Sequence, residues 1–349
     1  MIRFAEWTVA AAAVIACTGT FAASHDRLDV QLSAPGAMVQ GDTDVTVDVT
    51  VTNTAGHAVS VARWQLPSDR LQGPLLRILK DDGTAVPYTG PLIKRAAATA
   101  ADLVRFEAGE SRHYSVELTG AYALGNGRYT IEYAGRGKGE EDATVESATP
   151  LTLWAAGRTE PATGMSPVER YLAHVQAASI TYTGNCTSSE KTTLASAVTA
   201  ATNYATASNT YLAGSPHSTP RFVKWFGTYS SSHWSTAHTH YTNEVTAFTT
   251  KPLTLDCSCN DSNTYAYVYA NQPYKIYLCG AFWSAPMTGT DSKGGTLVHE
   301  MSHFNVVAST DDWAYGQTAA ANLAKKNPTK ALDNSDNHEY FAENNPFQN

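Results

Sequence analysis

The stretch GGTLVHEMSHFNVVASTDDWAYG, residues 294–316, sets two histidines and a glutamate within five positions, then two aspartates and a tyrosine. On an α-helix, positions four apart lie one turn apart on the same face. His299 and His303 can therefore aim a nitrogen each at one ion. The flanking runs GGTLV and FNVV supply the apolar side that buries such a helix. A hydrolytic zinc takes three protein ligands and keeps a fourth position for water. Glu300, next to the first histidine, stands where it would take a proton from that water. The third ligand is then expected from Asp311 or Asp312. Either returns to the ion if the chain turns near residues 308–310, and spacing does not choose between them.

Outward from this stretch, the bulk properties bound the molecule. A chain of 349 residues is long for one core, so two domains are expected. With 43% hydrophobic and 16% charged residues it is globular in composition. A net charge of −8 argues against nucleic acid or an anionic membrane as partner. Residues 1–23 read as a signal peptide, with Ala22 or Ala23 a suitable cleavage point and an apolar run too short to span a bilayer. This predicts a secreted protein; VIAC, ending at Cys17, leaves lipid anchoring as the alternative. Beyond the leader, Cys186, Cys257, Cys259 and Cys279 form an even set, which predicts two disulfides in an exported chain. Of the three pairings, the one joining Cys257 to Cys259 would close a very tight ring.

The character of the chain changes near residue 160. DVTVDVTVTNT (44–54), HYSVELTG (113–120) and RYTIEYAG (128–135) alternate with period two, separated by turn signals such as DDG (81–83) and GNG (125–127). Short alternating strands at this spacing predict an all-β, immunoglobulin-like sandwich over 24–160. Residues 161–179 read as a linker and processing region, with a short helix in PVERYLAHVQAA (167–178). The remainder, 180–349, is expected to be mainly α with a small β-hairpin. Residues 187–214 open with a Thr-x-x-Glu cap, a second helix covers part of 232–249, and 264–271 with 274–280 alternate like a hairpin.

HEMSH followed by STDDWAYG resembles the aspzincin family, the deuterolysin-type zinc endopeptidases, whose pattern is His-Glu-x-x-His and then Gly-Thr-x-Asp-x-x-Tyr-Gly. The resemblance implies a zincin-type catalytic domain with one zinc per chain on His299, His303 and Asp312. It implies Glu300 as general base and Tyr315 as the donor that steadies the oxyanion. Ser309 stands where the pattern has glycine. Further along, TYTGNC, CSC, YLCGAFW, GTDSKGGTLVHE and DNHEYFAENNP resemble the peptidyl-Lys metalloendopeptidase branch over roughly residues 180–349. That branch implies disulfides Cys186–Cys257 and Cys259–Cys279. It also implies an acidic pocket, Asp336 with Glu339, for a lysine just after the cut bond. Carboxylates at i, i+3 share one helical face and can hold a point charge. His238 and His240 are two apart, diverge round a helix, and are expected to pack rather than bind metal.

The resemblance does not reach residues 24–160. The β region is therefore expected to be a propeptide that covers the cleft as an intramolecular inhibitor and is removed near 165–180. Of its lysines, Lys80, Lys94 and Lys138, the last lies in the glycine-flanked AGRGKGEED and is the favoured plug for the acidic pocket. No lysine lies between Lys138 and Lys191, so a strictly lysine-directed enzyme cannot make the expected cut itself. The function expected is a secreted, monomeric zinc endopeptidase made as a zymogen and acting on proteins and peptides. No nucleic-acid partner is expected, and no membrane unless Cys17 is lipidated. A broad-specificity deuterolysin-like protease is one alternative. An exported β-sandwich binding protein with an inactive peptidase-like domain is another, against which the intact Glu300 and Tyr315 argue.

Overall fold

A computed structural model describes residues 27–68, 70–135, 144–147, 149–161, 171–172 and 178–349. Its N-terminal part is built from β1 (Arg27–Ser33), β2 (Met38–Gln40), β3 (Thr46–Asn53), β4 (Val59–Ala62), β5 (Leu76–Lys80), β6 (Pro91–Arg95), β7 (Leu103–Phe106), β8 (Ser111–Glu117), β9 (Gly127–Tyr133), β10 (Thr144–Ser147) and β11 (Leu151–Ala156). Two four-stranded sheets, ordered β10-β1-β3-β8 and β2-β11-β9-β5, share one core, and β4 pairs with β7 beside them. The alternation seen in the sequence is what fills that core. Val47, Val49 and Val51 of β3 are fully buried and pack with Tyr129 and Ile131 of β9 and Leu153 of β11, while Thr50 and Thr52 turn outward. Two of the pairings, β1 with β10 and β2 with β11, are parallel.

The C-terminal part adds β12 (Ser179–Thr183), β13 (Pro252–Asp256), β14 (Thr264–Tyr269) and β15 (Lys275–Leu278). Its helices are α1 (Ser188–Leu212), α2 (Pro220–Phe226), α3 (Ser231–Thr250), α4 (Gly280–Ser284), α5 (Lys293–His303), α6 (Gln317–Lys326), α7 (Pro328–Leu332) and α8 (Ser335–Glu343). Thr187 caps α1 by accepting from Glu190 N, and the Glu190 carboxylate returns to the Thr187 amide, which closes the capping box. The apolar stripe Leu194, Ala197, Val198, Ala201, Ala205 and Leu212 turns inward. Phe222, Trp225, Tyr241, Val298, Phe304 and Phe341 belong to the same core.

Two departures from the expected layout bear on the site. The hairpin β14–β15 belongs to a five-stranded mixed sheet, ordered β12-β13-β15-β14-β6, rather than standing as a small pair. Strands SITYT and PLTLD are too short to announce themselves, and they become strands by parallel pairing with one another. The boundary near 160 is also not a boundary in space. Strand β6, from the N-terminal part, leaves the sandwich and pairs antiparallel with β14 as the edge of the C-terminal sheet, with Leu92 in the C-terminal core.

Disulfides join Cys186 to Cys257 and Cys259 to Cys279. The first ties the entry of α1 to the end of β13 across a separation of 71 residues. Loop-closure entropy on that scale is worth about 4 kcal/mol. Replacing both Cys186 and Cys257 by Ala is expected to lower the denaturant-unfolding free energy by an amount of that order. A midpoint unchanged from the parent chain would contradict it.

Candidate active site

Helix α5 is the foundation of the site, and all of its residues are buried. Ser292 caps it by accepting from Gly295 N, and Glu343 accepts from both the amide and the hydroxyl of Ser292 at 2.8 and 2.7 Å. Burial, with Glu339 nearby, pushes the Glu343 carboxyl up to about 9. Gly295 permits this approach: a Cβ there would stand 2.7 Å from the Glu343 carboxyl carbon. Leu297, Val298 and Met301 lock the other side of the helix into the core.

From this helix His299 and His303 point their Nε2 atoms at one another across 3.2 Å. Asp312 Oδ1 completes a triangle, 3.2 Å from His299 Nε2 and 3.5 Å from His303 Nε2. Ligands about 2.0–2.2 Å from a tetrahedral zinc lie about 3.3 Å apart, so the three atoms match that spacing. The opposite ring nitrogens are engaged elsewhere. His303 Nδ1 lies 2.8 Å from the Thr310 carbonyl and 3.0 Å from Ser335 Oγ, while His299 Nδ1 lies 2.8 Å from Asp336 Oδ1. A proton on each Nδ1 leaves both Nε2 lone pairs facing the triangle. Among the described residues, neither Asp312 nor Glu300 has a hydrogen-bond partner for its buried carboxylate oxygens. Buried acceptors without donors are costly unless a cation answers them. The nitrogen and oxygen donors therefore fit zinc.

The electrostatics agree. Burial opposes ionisation of Asp312, yet the two imidazoles outweigh it and hold the carboxyl far below its usual range. Burial likewise disfavours charge on His299, and Asp312 more than offsets this, raising the imidazole well above its ordinary value. The pocket thus draws positive charge to itself. Burial pushes Glu300 up to about 7.

The turn after α5 separates the two aspartates. Ser309 adopts φ 55°, the left-handed conformation for which the family pattern keeps a glycine. Thr310, Ser302 and Ser335 then share hydroxyl hydrogen bonds of 2.6–2.9 Å. Asp311 spends its backbone on the 333–335 segment, donating to the Asp333 carbonyl and accepting from Ser335 N. Asp312 turns to the histidines instead. Tyr315 follows, its hydroxyl donating to the Ile93 carbonyl at 2.9 Å and its ring edge-on to Trp64. At Gly316 the chain takes φ 85° and donates its amide to Asp336 Oδ2 at 2.6 Å.

Asp336 and Glu339 lie on α8, fully buried, and they share a cation with Asp291. It is Lys94 of β6, not Lys138, which lies outside the described residues. Lys94 Nζ pairs with Glu339, stands 3.5 Å from Asp336 and 3.7 Å from Asp291, and faces the rings of Tyr265 and Tyr340. Burial would strip this ammonium of its proton, but the three carboxylates hold its pKa well above the ordinary lysine value. His299 Nδ1, Asp336 and Glu339 also converge as a donor set, and Lys94 is the cation they meet. Glycine flanks pointed to Lys138 because they signal a mobile loop. An occupant held by a sheet edge needs an extended, apolar strand, and that signal is in PLIKR (91–95). Asp291, Glu343 and Trp64 also escaped sequence reading, since no spacing links them to the helix. His240 packs against His338, with ring nitrogens 3.3 Å apart, and takes no part in the triangle.

Comparison with known proteins gives concordant results. A family model described as lysine-specific metallo-endopeptidase matches residues 211–343. An extracellular protease of Aeromonas hydrophila is 42% identical over 329 residues, covering 91% of this chain and 93% of that protein. A peptidyl-Lys metalloendopeptidase of Grifola frondosa is 37% identical over 345 residues, covering 93% and 95%. A solved zinc peptidase from Grifola frondosa is 52% identical and matches 47% of this chain and the whole of that one, with a TM-score of 0.46.

Proposed function

Because the chain belongs to the aspzincin family of lysine-specific metallo-endopeptidases, we propose that it is a secreted zinc endopeptidase that cuts before lysine and is held latent by its own N-terminal region. That it is a zinc metalloendopeptidase follows from the family. The finer reading rests above all on one observation: the buried triangle of His299 Nε2, His303 Nε2 and Asp312 Oδ1, with the Glu300 carboxylate, unpartnered among the described residues, beside it.

In this reading one zinc per chain sits on those three atoms and supplies Lewis acidity for attack by water on a peptide carbonyl. Glu300, held in a dry pocket, takes the proton from the attacking water and returns it to the departing nitrogen. Tyr315 donates to the carbonyl oxygen where negative charge grows, as its hydroxyl already does to Ile93. Asp336, Glu339 and Asp291 receive the ammonium of the lysine that follows the cut bond. Secretion is supported by the leader-like residues 1–23 and by the name of the Aeromonas relative. Residues 24–160 act as a propeptide of immunoglobulin-like build, 161–179 link it, and 180–349 carry catalysis as a monomer. Latency is supported by β6, which lies in the cleft with Lys94 among the acidic groups.

The test is casein digestion by the full chain after limited subtilisin treatment, with the subtilisin then blocked. Digestion is expected to stop with a chelator, return with zinc, and yield peptides that begin with lysine. Peptides beginning with many residue types would favour a broad protease. No digestion at all would favour a binding protein.

A further inference from the structure

Resting on that reading, we infer that the Ile93–Lys94 peptide bond is itself a substrate, held in the cleft in the direction of cleavage. Three features place this bond across the catalytic groups. Lys94 fills the acidic pocket from its side, with its ammonium among Asp336, Glu339 and Asp291. The carbonyl immediately before it, that of Ile93, is the one that accepts from the Tyr315 hydroxyl. The segment also runs antiparallel to β14, with Ile93 opposite Tyr267 and Lys94 opposite Ala266, the extended edge-strand mode in which a peptide adds to a sheet. A decoy would be expected to break one of these: proline or a left-handed residue at the bond, or a lysine entering from the wrong side. Pro91 is confined to the start of the strand, and no residue of 91–95 has a positive φ.

The step is a simple hydrolysis. Water adds its oxygen to the Ile93 carbonyl carbon, and Glu300 carries the proton from that water to the Lys94 nitrogen. The C–N bond breaks to leave a carboxylate on Ile93 and a free amine on Lys94. Tethering makes the first event unimolecular, so it needs no second protease. It also bears on a difficulty in the sequence: no lysine lies between Lys138 and Lys191, where the processing site is expected, yet Lys94 offers a lysine-directed first cut upstream of it. The nick would free the edge strand at its centre without dismantling the sandwich, because β1 stays paired with β10, and β3 with β8, across the break.

The experiment uses the full chain with zinc, its Glu300→Gln variant and its Lys94→Met variant. The parent chain is expected to give two pieces on a denaturing gel, one with the N-terminus Lys-Arg-Ala-Ala; neither variant should give that terminus. A second readout needs no turnover. In metal-free Glu300→Gln chain, adding Lys94→Met is expected to speed amide exchange across 91–95 and 264–269 at least tenfold, with 46–53 unmoved. Unmoved exchange at 91–95 would overturn the inference. A chain that cuts a lysine peptide after subtilisin treatment but keeps its own Ile93–Lys94 bond overturns it too, leaving the peptidase reading intact. One that cuts neither overturns both.

Discussion

Replacing Glu300 by Gln is expected to slow peptide hydrolysis by roughly 10²- to 10⁴-fold while the folded chain still binds one zinc. The carboxylate is fully buried, and neither oxygen has a hydrogen-bond partner among the described residues. The amide of Gln has nearly the same shape, so the packing of α5 should survive and the triangle should stay in place. What disappears is a buried carboxylate beside that triangle, able to take a proton and return it. Burial has already pushed its pKa to about 7, so that group is neither a weak base nor one that fails to give the proton back near neutral pH. Steady-state kinetics on a lysine peptide, together with zinc content per chain, would check the two halves separately. Activity within tenfold of the parent at full zinc occupancy would rule out Glu300 as the base. Loss of zinc would make it a structural residue instead.

Glu339→Gln should abolish preference rather than chemistry. Leaving a buried ammonium short of a partner costs about 3–5 kcal/mol, or roughly 10²- to 10⁴-fold in affinity. Asp336 and Asp291 remain, so the lower end of that range is expected in kcat/KM for cuts before lysine. Peptides with a neutral residue at that position should change little. Asp336→Asn is a less clean probe, because Asp336 also touches His299 Nδ1 and holds the Gly316 amide, so metal binding would weaken with it. Measuring kcat/KM for matched peptides with lysine, arginine and alanine after the cut separates the two. An equal loss across all three would mean that Glu339 supports the fold and does not read the substrate.

Much of this was legible from residue order alone, and the reason is geometric. His299, Glu300 and His303 lie within one and a half turns of a helix, so spacing in sequence is spacing in space. The alternation of Val47, Val49 and Val51 predicted a strand with one buried face, and Thr187 with Glu190 announced the start of α1 for similarly local reasons. The family resemblance supplied Asp312 over Asp311 and the two disulfide pairings. Residue order did not. The preference for Lys138 shows where local signals mislead: glycine flanks describe freedom, whereas the cleft took a lysine from an ordered strand.

Tertiary structure decided the rest, because it depends on which surfaces meet. Strand SITYT exists through its pairing with PLTLD, which itself lies between SITYT and β15, and β6 serves the far sheet rather than its own sandwich because β14 offers an open edge. Asp291, Asp336 and Glu339 come from two distant segments and converge on Lys94, more than 190 residues away along the chain. Residue order therefore determined the helix that carries the proposed zinc ligands and the class of chemistry, both being properties of neighbours in the chain. Long-range packing alone determined that this molecule carries a lysine of its own in the place proposed for its substrate.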